Sequence, residues 1–277
     1  MNRSSHPAPA AYIHGYSEPE QARLIEQAAI LAPAVFSGLD LSADRYLLEI
    51  GCGVGAETRH LLDRWPGLTI HGIDISEAQL SAARAYLGGD VAEGRVSLSR
   101  MDARSLALPD DRFDLAMTIW VLEHVPDPEA ILRELLRVLR PGGRIILNEV
   151  NNNSFRFEPH NPVVQDWWEA FNAFQRDIGA DPFIGQHLPA IARRVGFGEI
   201  HAEVVPAVSS LREPGRRAEL LDYLGTLLMS AADAMRHSGR VSARQEAAMR
   251  EELERAGSVP GLEFEYLAVR VTARKPL

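Results

Sequence analysis

The sequence predicts an α/β protein, a doubly wound and mostly parallel sheet of seven strands. A helical cover is expected at the N-terminus and a helical insertion or lid in the C-terminal half. Three observations carry this reading. Between residues 46 and 150, short apolar runs alternate with helical stretches, the rhythm of a parallel sheet covered on both faces. The first of these runs ends in a glycine loop that opens a helix. The chain has 277 residues, 46% hydrophobic and 24% charged, which suits a globular protein with a substantial core and excludes a disordered or collagen-like one. A single domain over residues 1–277 is expected: an arm and helix (1–40), a sheet-forming core (41–150), and the lid, insertion and closing strands (151–277).

Each element has a local reason. Residues 1–11 read as a loose arm, polar and proline-containing. Ser17 opens a helix with Glu20 at capping-box spacing, and Leu24, Ile25, Ala28, Leu31, Ala32 and Val35 make its apolar face. Strands are expected at 46–50, 69–73, 95–98, 113–120 and 144–150, with helices at 57–65, 77–87 and 128–139 between them. The last helix has a clear start, Asp127-Pro128, and a clear stop, Pro141-Gly142-Gly143. Right-handed crossovers then wind the sheet on both sides. Beyond Val150 the rhythm changes. Residues 151–185 carry three asparagines, a run of aromatics and Asp181-Pro182, followed by a helix (187–195), a strand (199–205), helical stretches (216–236 and 242–256) and a closing strand (264–273).

Charge and composition narrow the function. The net charge is −9 and no basic run exceeds a pair, which argues against nucleic acid as a partner. The longest apolar stretch, near residues 115–122, is too short to cross a bilayer, and the first residues lack an apolar signal core, so a cytoplasmic protein with no membrane partner is expected. Cys52 is the single cysteine, which rules out an internal disulfide and a four-cysteine zinc site. The single lysine, Lys275, lies at the tail, so no lysine-based chemistry fits the body of the fold. No histidine pairing suggests a metal site.

The strongest local signal is Leu47-Leu48-Glu49-Ile50-Gly51-Cys52-Gly53-Val54-Gly55, a strand running through three glycines into a helix. Glycines permit the tight turn and let a ligand approach the backbone, while the helix N-terminus offers free N–H groups. A ligand-free turn is the plainer alternative. Gly51, Gly53 and Ala56 also fit a dinucleotide fingerprint.

Taken with Glu49, the stretch Glu49-Ile50-Gly51-Cys52-Gly53-Val54-Gly55 resembles the first motif of class I S-adenosylmethionine-dependent methyltransferases. Gly72-Ile73-Asp74-Ile75-Ser76, Asp102-Ala103, Phe113-Asp114, Glu123-His124-Val125 and Leu139-Arg140-Pro141-Gly142-Gly143 resemble further segments of that family, in the same order. The resemblance covers about residues 45–150 and implies a Rossmann-like methyltransferase fold. It implies S-adenosyl-L-methionine as cofactor and S-adenosyl-L-homocysteine as product. By the same carry-over, Asp74 and Ile75 would meet the ribose, and Asp102 and Ala103 the adenine. Thr58 would lie near the methionyl carboxylate, and Ile119 and Trp120 beside the sulfonium. Glu49, Gly51, Cys52, Gly53 and Gly55 would form the loop, Cys52 as a space-filler. Asp74 as a helix cap and Asp102 as a turn residue are the structural alternatives.

The acceptor side is read from aromatic content. Phe155, Phe157, Trp167, Trp168, Phe171 and Phe174 fall between residues 155 and 174, and read as a pocket wall for an apolar or aromatic small molecule or as a second core. Tyr12, His14 and Tyr16 are candidates for an N-terminal cover over the ligand or an exposed arm. The apolar stripe from Leu220 to Met235 suits a core or a homodimer contact. Candidate bases are His160 and His124, then His14 and Glu149. The expected function is methyl transfer to an oxygen or nitrogen, less readily a carbon, of a small metabolite, similar to natural-product methyltransferases. The alternatives are a nicotinamide-dependent oxidoreductase and a cofactor-binding module without turnover.

Overall fold

Ser17 fixes where the first helix begins: its hydroxyl accepts from Glu20 N–H, opening α1 (Glu18–Val35), and Glu20 pairs with Arg23 one turn on. The computed structural model describes residues 17–210 and 214–277. After α1 the chain alternates: β1 (Tyr46–Ile50), α2 (Ala56–Arg64), β2 (Thr69–Asp74), α3 (Glu77–Tyr86), a short α4 (Gly88–Ala92), β3 (Val96–Arg100), β4 (Phe113–Ile119), α5 (Pro128–Val138) and β5 (Leu139–Val150). Asp127 caps α5 by accepting from Ala130 N–H, and Pro128 sits in its first turn, as the sequence predicts. The C-terminal half adds β6 (Arg156–Glu158), α6 (Pro162–Asp177), α7 (Ile184–Val195), β7 (Gly198–Ser209), α8 (Arg217–Met229), α9 (Ala232–His237), α10 (Ala243–Ala256) and β8 (Glu263–Arg274).

β1 pairs in parallel with β2 and β4, β2 with β3, and β4 with β5. β8 runs antiparallel to β5 and carries β7 along its other edge, so the main order is β3-β2-β1-β4-β5-β8-β7. The sheet holds eight strands rather than seven, because three-residue β6 pairs with the start of β8 on the side that β5 occupies further along. β1 and β4 are almost wholly buried, since helices cover both faces. The strand order reverses between β1 and β4, and that switch point opens a crevice at their carboxyl ends.

Two differences from the sequence reading matter here. The aromatic run is a 16-residue helix, α6, started by Asn161, whose Oδ1 accepts from Val163 and Val164 N–H, with Pro162 at its first position. The helix expected over 216–236 breaks into α8 and α9, where Ser230 turns its hydroxyl back onto the Leu227 carbonyl. The apolar stripe is used within the chain: Leu220, Leu224, Leu228, Ala231 and Met235 are all buried. Among the described residues no helix is long and apolar enough to cross a membrane.

Candidate active site

The glycine loop is shaped by what it must pass. Gly51 has φ +66°, and a Cβ there would stand 2.6 Å from Val121 Cγ2, so only glycine lets β1 turn against the segment leaving β4. At Gly55 a Cβ would meet Leu87 at 2.6 Å, which makes this glycine a packing device against the end of α3. Gly53 has open space on its Cβ side and faces the crevice.

Asp74 ends β2 and ties the loop to it. Its Oδ2 accepts from Gly53 N–H at 3.0 Å and its Oδ1 from Ser76 N–H at 2.8 Å. Burial raises this carboxyl above its usual range, against the pull of those backbone N–H groups. Each carboxylate oxygen retains acceptor capacity for a ligand hydroxyl. Asp102, after β3, holds the Arg104 guanidinium in a two-pronged ion pair, with N···O distances down to 2.7 Å. The turn after β4 is organised by Glu149, which accepts from the Thr118 hydroxyl at 2.8 Å and from Val121 and Leu122 N–H at 3.1 Å. There Trp120 adopts φ +53°, a strained conformation for a side-chain-bearing residue, and its buried indole Nε1 meets no acceptor among the described residues.

These segments floor one cavity of about 260 Å³, far beyond the ~10–15 Å³ that holds a water molecule. Gly51, Cys52, Gly53, Asp74, Ile75, Asp102, Ala103, Ile119 and Trp120 all line it. Its roof is α1 through Arg23, Leu24, Gln27 and Leu31, together with α8 through Tyr223 and Leu227. Trp168, Phe171 and Gln175 of α6 and Tyr266 of β8 close the far wall. Trp168 stacks on Phe171 at 5.5 Å and meets Tyr266 edge-on at 5.8 Å. Behind this wall Asn152 is a buried hub. It donates to Asn172 and Gln175, receives the Tyr266 hydroxyl at 2.6 Å, and its carbonyl accepts from Trp168 Nε1.

Several expected site residues stand elsewhere. Thr58 is fully buried and donates its hydroxyl to Glu49 at 2.5 Å; the pair locks α2 onto β1 beneath the loop, outside the cavity lining. Gly55 is likewise outside it. Trp167 points to α8, donating from Nε1 to the Leu228 carbonyl, and Phe157 pairs with Phe264 in the sheet. His160 is exposed before the Asn161 cap, because the helix starts two residues later and leaves it outside the pocket. His124 does line the pocket, its Nε2 3.6 Å from Glu123 Oε1. Tyr12, His14 and Tyr16 lie outside the described residues. Sequence reasoning missed the roof of α1, and Glu57, Tyr223 and Tyr266. These are polar residues on elements that otherwise read as core or connectors, with no local spacing to single them out.

The crevice is rich in buried acids. Burial pushes Glu49 and Glu149 up to about 7 and Glu57 and Glu123 up to about 8, and drives His124 down to about 4. Burial and the Glu49 and Asp74 carboxylates hold the Cys52 thiol protonated, which fits a space-filler. The acids set a pH dependence of stability. All four carboxyls keep protons in the folded chain that an unfolded glutamate sheds near pH ~4.3, so their contribution is full below that value and is lost as pH rises through 7–8. His124 works in the opposite sense only below its ordinary value of about 6.5. The melting temperature of the ligand-free chain is therefore expected to fall between about pH 6.5 and about pH 8.5. Calorimetric scans across that window check this, and a rising melting temperature would contradict it.

With this geometry in view, the comparisons are specific. Residues 48–147 match the family model described as a methyltransferase domain. The chain is 31% identical over 192 residues to the O-methyltransferase resE of Aspergillus sclerotiorum, covering 68% of this chain and 69% of that protein. It is 38% identical over 138 residues to the 27-O-demethylrifamycin SV methyltransferase of Amycolatopsis mediterranei, covering 49% of this chain and 50% of that one. The match spans about half the length of such curated relatives. Among solved structures, the [4+2]-cyclase SpnF is similar at a TM-score of 0.56 and 25% identity, covering 99% of this chain and 89% of that chain.

Proposed function

Since the chain belongs to the S-adenosylmethionine-dependent methyltransferase family, we propose that it transfers a methyl group from S-adenosyl-L-methionine to an oxygen or nitrogen of a small, apolar or aromatic metabolite. A carbon acceptor ranks behind these. The observation that carries this reading is the single cavity joining two halves: Gly53, Asp74 and Asp102 on the nucleoside side, and Trp168, Phe171, Tyr223 and Tyr266 on the other. The residues present fit the cofactor, because Gly53 leaves its backbone open to a ligand and Asp74 has acceptor capacity left for ribose hydroxyls. The cofactor supplies a methyl carbon on a sulfonium, already a good leaving group.

The chain's own task is then placement. The aromatic wall excludes water and holds the acceptor's apolar body, and positioning alone can account for much of the rate. Where the acceptor is a hydroxyl, neutral His124 at the floor is the group placed to accept its proton, with Glu123 beside it and Gln175 holding Glu123 Oε2 at 3.2 Å. His124→Ala is expected to lower kcat/KM roughly 100-fold for a hydroxyl acceptor. His160→Ala is expected to leave it within about twofold, because that ring is outside the cavity. Steady-state kinetics on both variants check this, and the reverse ranking would move the acceptor site.

The direct test is calorimetric titration with S-adenosylmethionine, S-adenosylhomocysteine and NAD, followed by an acceptor screen that reads S-adenosylhomocysteine formation. Binding of NAD alone would restore the oxidoreductase alternative. The near full-length likeness to a [4+2]-cyclase supports a second reading, a pocket of this fold that promotes a reaction other than methyl transfer. In that case the cofactor binds, yet no acceptor yields S-adenosylhomocysteine.

A further inference from the structure

Glu57 lines the cavity, and neither the loop nor the acceptor wall gives it a task. It stands in the first turn of α2, two residues past Gly55. Its Oε2 is enclosed by protein and meets no hydrogen-bond donor among the described residues. Native structures rarely leave a buried carboxyl oxygen unbonded, so such an atom facing a ligand cavity points to a donor that arrives with the ligand.

Its neighbours locate it within the cavity. Asp74 and Asp102 stand at the ends of β2 and β3, on one side of β1. Glu57 opens α2 directly after β1, so it lines the cavity from an element other than the strand ends that carry those two aspartates. A ligand with its ribose on Asp74 has its amino-acid end left to extend along the loop toward Glu57.

We propose that the Glu57 carboxylate captures the α-ammonium of the methionyl end of S-adenosylmethionine, an inference that rests on the cofactor reading above. Among the cofactor's polar groups the ribose hydroxyls belong at Asp74, and the methionyl carboxylate cannot donate to an acid. The ammonium is the donor-rich cation left to fill Oε2. The acid of the first motif, Glu49, is not available for this: it sits beneath the loop, bonded to Thr58 and away from the cavity lining. The charges of Glu49 on β1 and Arg64 on α2 act on Glu57, and its own charge acts on Tyr223 of α8. Burial and Glu49 push its carboxyl up to about 8 while Arg64 pulls the other way. Near neutral pH the ligand-free site thus holds a proton that an arriving ammonium displaces.

The test is calorimetry on wild type and Glu57→Gln with two probes, S-adenosylhomocysteine and 5′-methylthioadenosine. The second has the same nucleoside and a thioether but no amino-acid end. Titrations near neutral pH in two buffers of different ionisation enthalpy count the protons released. Glu57→Gln is expected to weaken S-adenosylhomocysteine roughly 10- to 100-fold, the worth of a charge-assisted hydrogen bond. It is expected to leave 5′-methylthioadenosine unchanged and to remove most of the proton release. Unaltered S-adenosylhomocysteine affinity would overturn the assignment. So would equal loss of both probes, which would make Glu57 a support of the loop. If wild type binds neither probe, the cofactor reading itself falls.

Discussion

Asp74→Ala is expected to weaken S-adenosylmethionine binding at least ~100-fold, with the fold retained. Two losses combine. On the proposed placement of the cofactor, its ribose hydroxyls lose a charged acceptor, worth about 1.5–3 kcal/mol per hydrogen bond. The loop also loses its tie, because Gly53 N–H and Ser76 N–H both donate to this carboxylate. Gly53 lines the cavity and Ser76 is only half-buried, so water can replace the lost oxygen at both, and the cost to global stability stays small beside the cost to binding. Asp74→Asn separates the two effects. An amide presents one oxygen and one NH₂, so it can keep one backbone donor but sets an N–H against the other. An affinity between wild type and Asp74→Ala is expected. Calorimetric titration with S-adenosylmethionine reads both variants, and circular dichroism checks that they fold. Wild-type affinity in Asp74→Ala would remove the ribose from β2 and with it the orientation of ligand assumed throughout.

The half of the protein that could be read in the sequence is the half whose order comes from local chemistry. β1 through β5 and the helices between them follow from apolar runs and caps such as Asp127-Pro128, and the structure places most of them within a few residues of expectation; β5 already starts at Leu139, so Pro141-Gly142-Gly143, expected as a helix stop, lies inside the strand. The loop, Asp74, Ile75, Asp102, Ala103, Ile119 and Trp120 come together because strand ends in a parallel sheet converge on one crevice. α6 carried the same kind of start signal, Asn161-Pro162, with apolar residues at 164, 167, 168, 171 and 174 at helical spacing. The density of aromatics drew the reading toward a lid wall and hid the period. Asn152 looked like part of a polar turn, yet it is 2% exposed and holds α6, β8 and Tyr266 together. No local pattern reveals such a hub, because its partners lie 16 to 114 residues away. The same applies to Thr58: its spacing suits a ligand contact, and only packing shows its hydroxyl committed to Glu49.

Arg270→Met is expected to be the most destabilising single change outside the hydrophobic core, by roughly 3–5 kcal/mol. Arg270 sits mid-strand in β8 and is 3% exposed. All five of its N–H groups are spent: Nε on Asn148 Oδ1 at 3.0 Å, Nη1 on the Ser37 carbonyl and Glu203 at 2.7 Å each, and Nη2 on the Ala34 and Val35 carbonyls at 3.2 and 2.7 Å. α1 has no basic residue in its last turn, so this guanidinium, arriving from β8, satisfies its final carbonyls and meets its negative end. Methionine matches the length of the stem but takes the Arg270 donor from the Val35 and Ser37 carbonyls and from Asn148 Oδ1, while the Ala34 carbonyl keeps Ser37 N–H. Glu203, more than half exposed, is left in water at little cost. Lysine is expected to restore only part of the loss, since one ammonium cannot serve the end of α1, β5 and β7 at once. For a chain of this size the methionine variant should melt roughly 6–15 °C lower. Because α1 supplies Arg23, Leu24, Gln27 and Leu31 to the cavity roof, hydrogen exchange in α1 should rise before it rises in β1 or β4. A melting temperature within ~2 °C of wild type would show that the helix end is held by its packing on α2 and β7 instead.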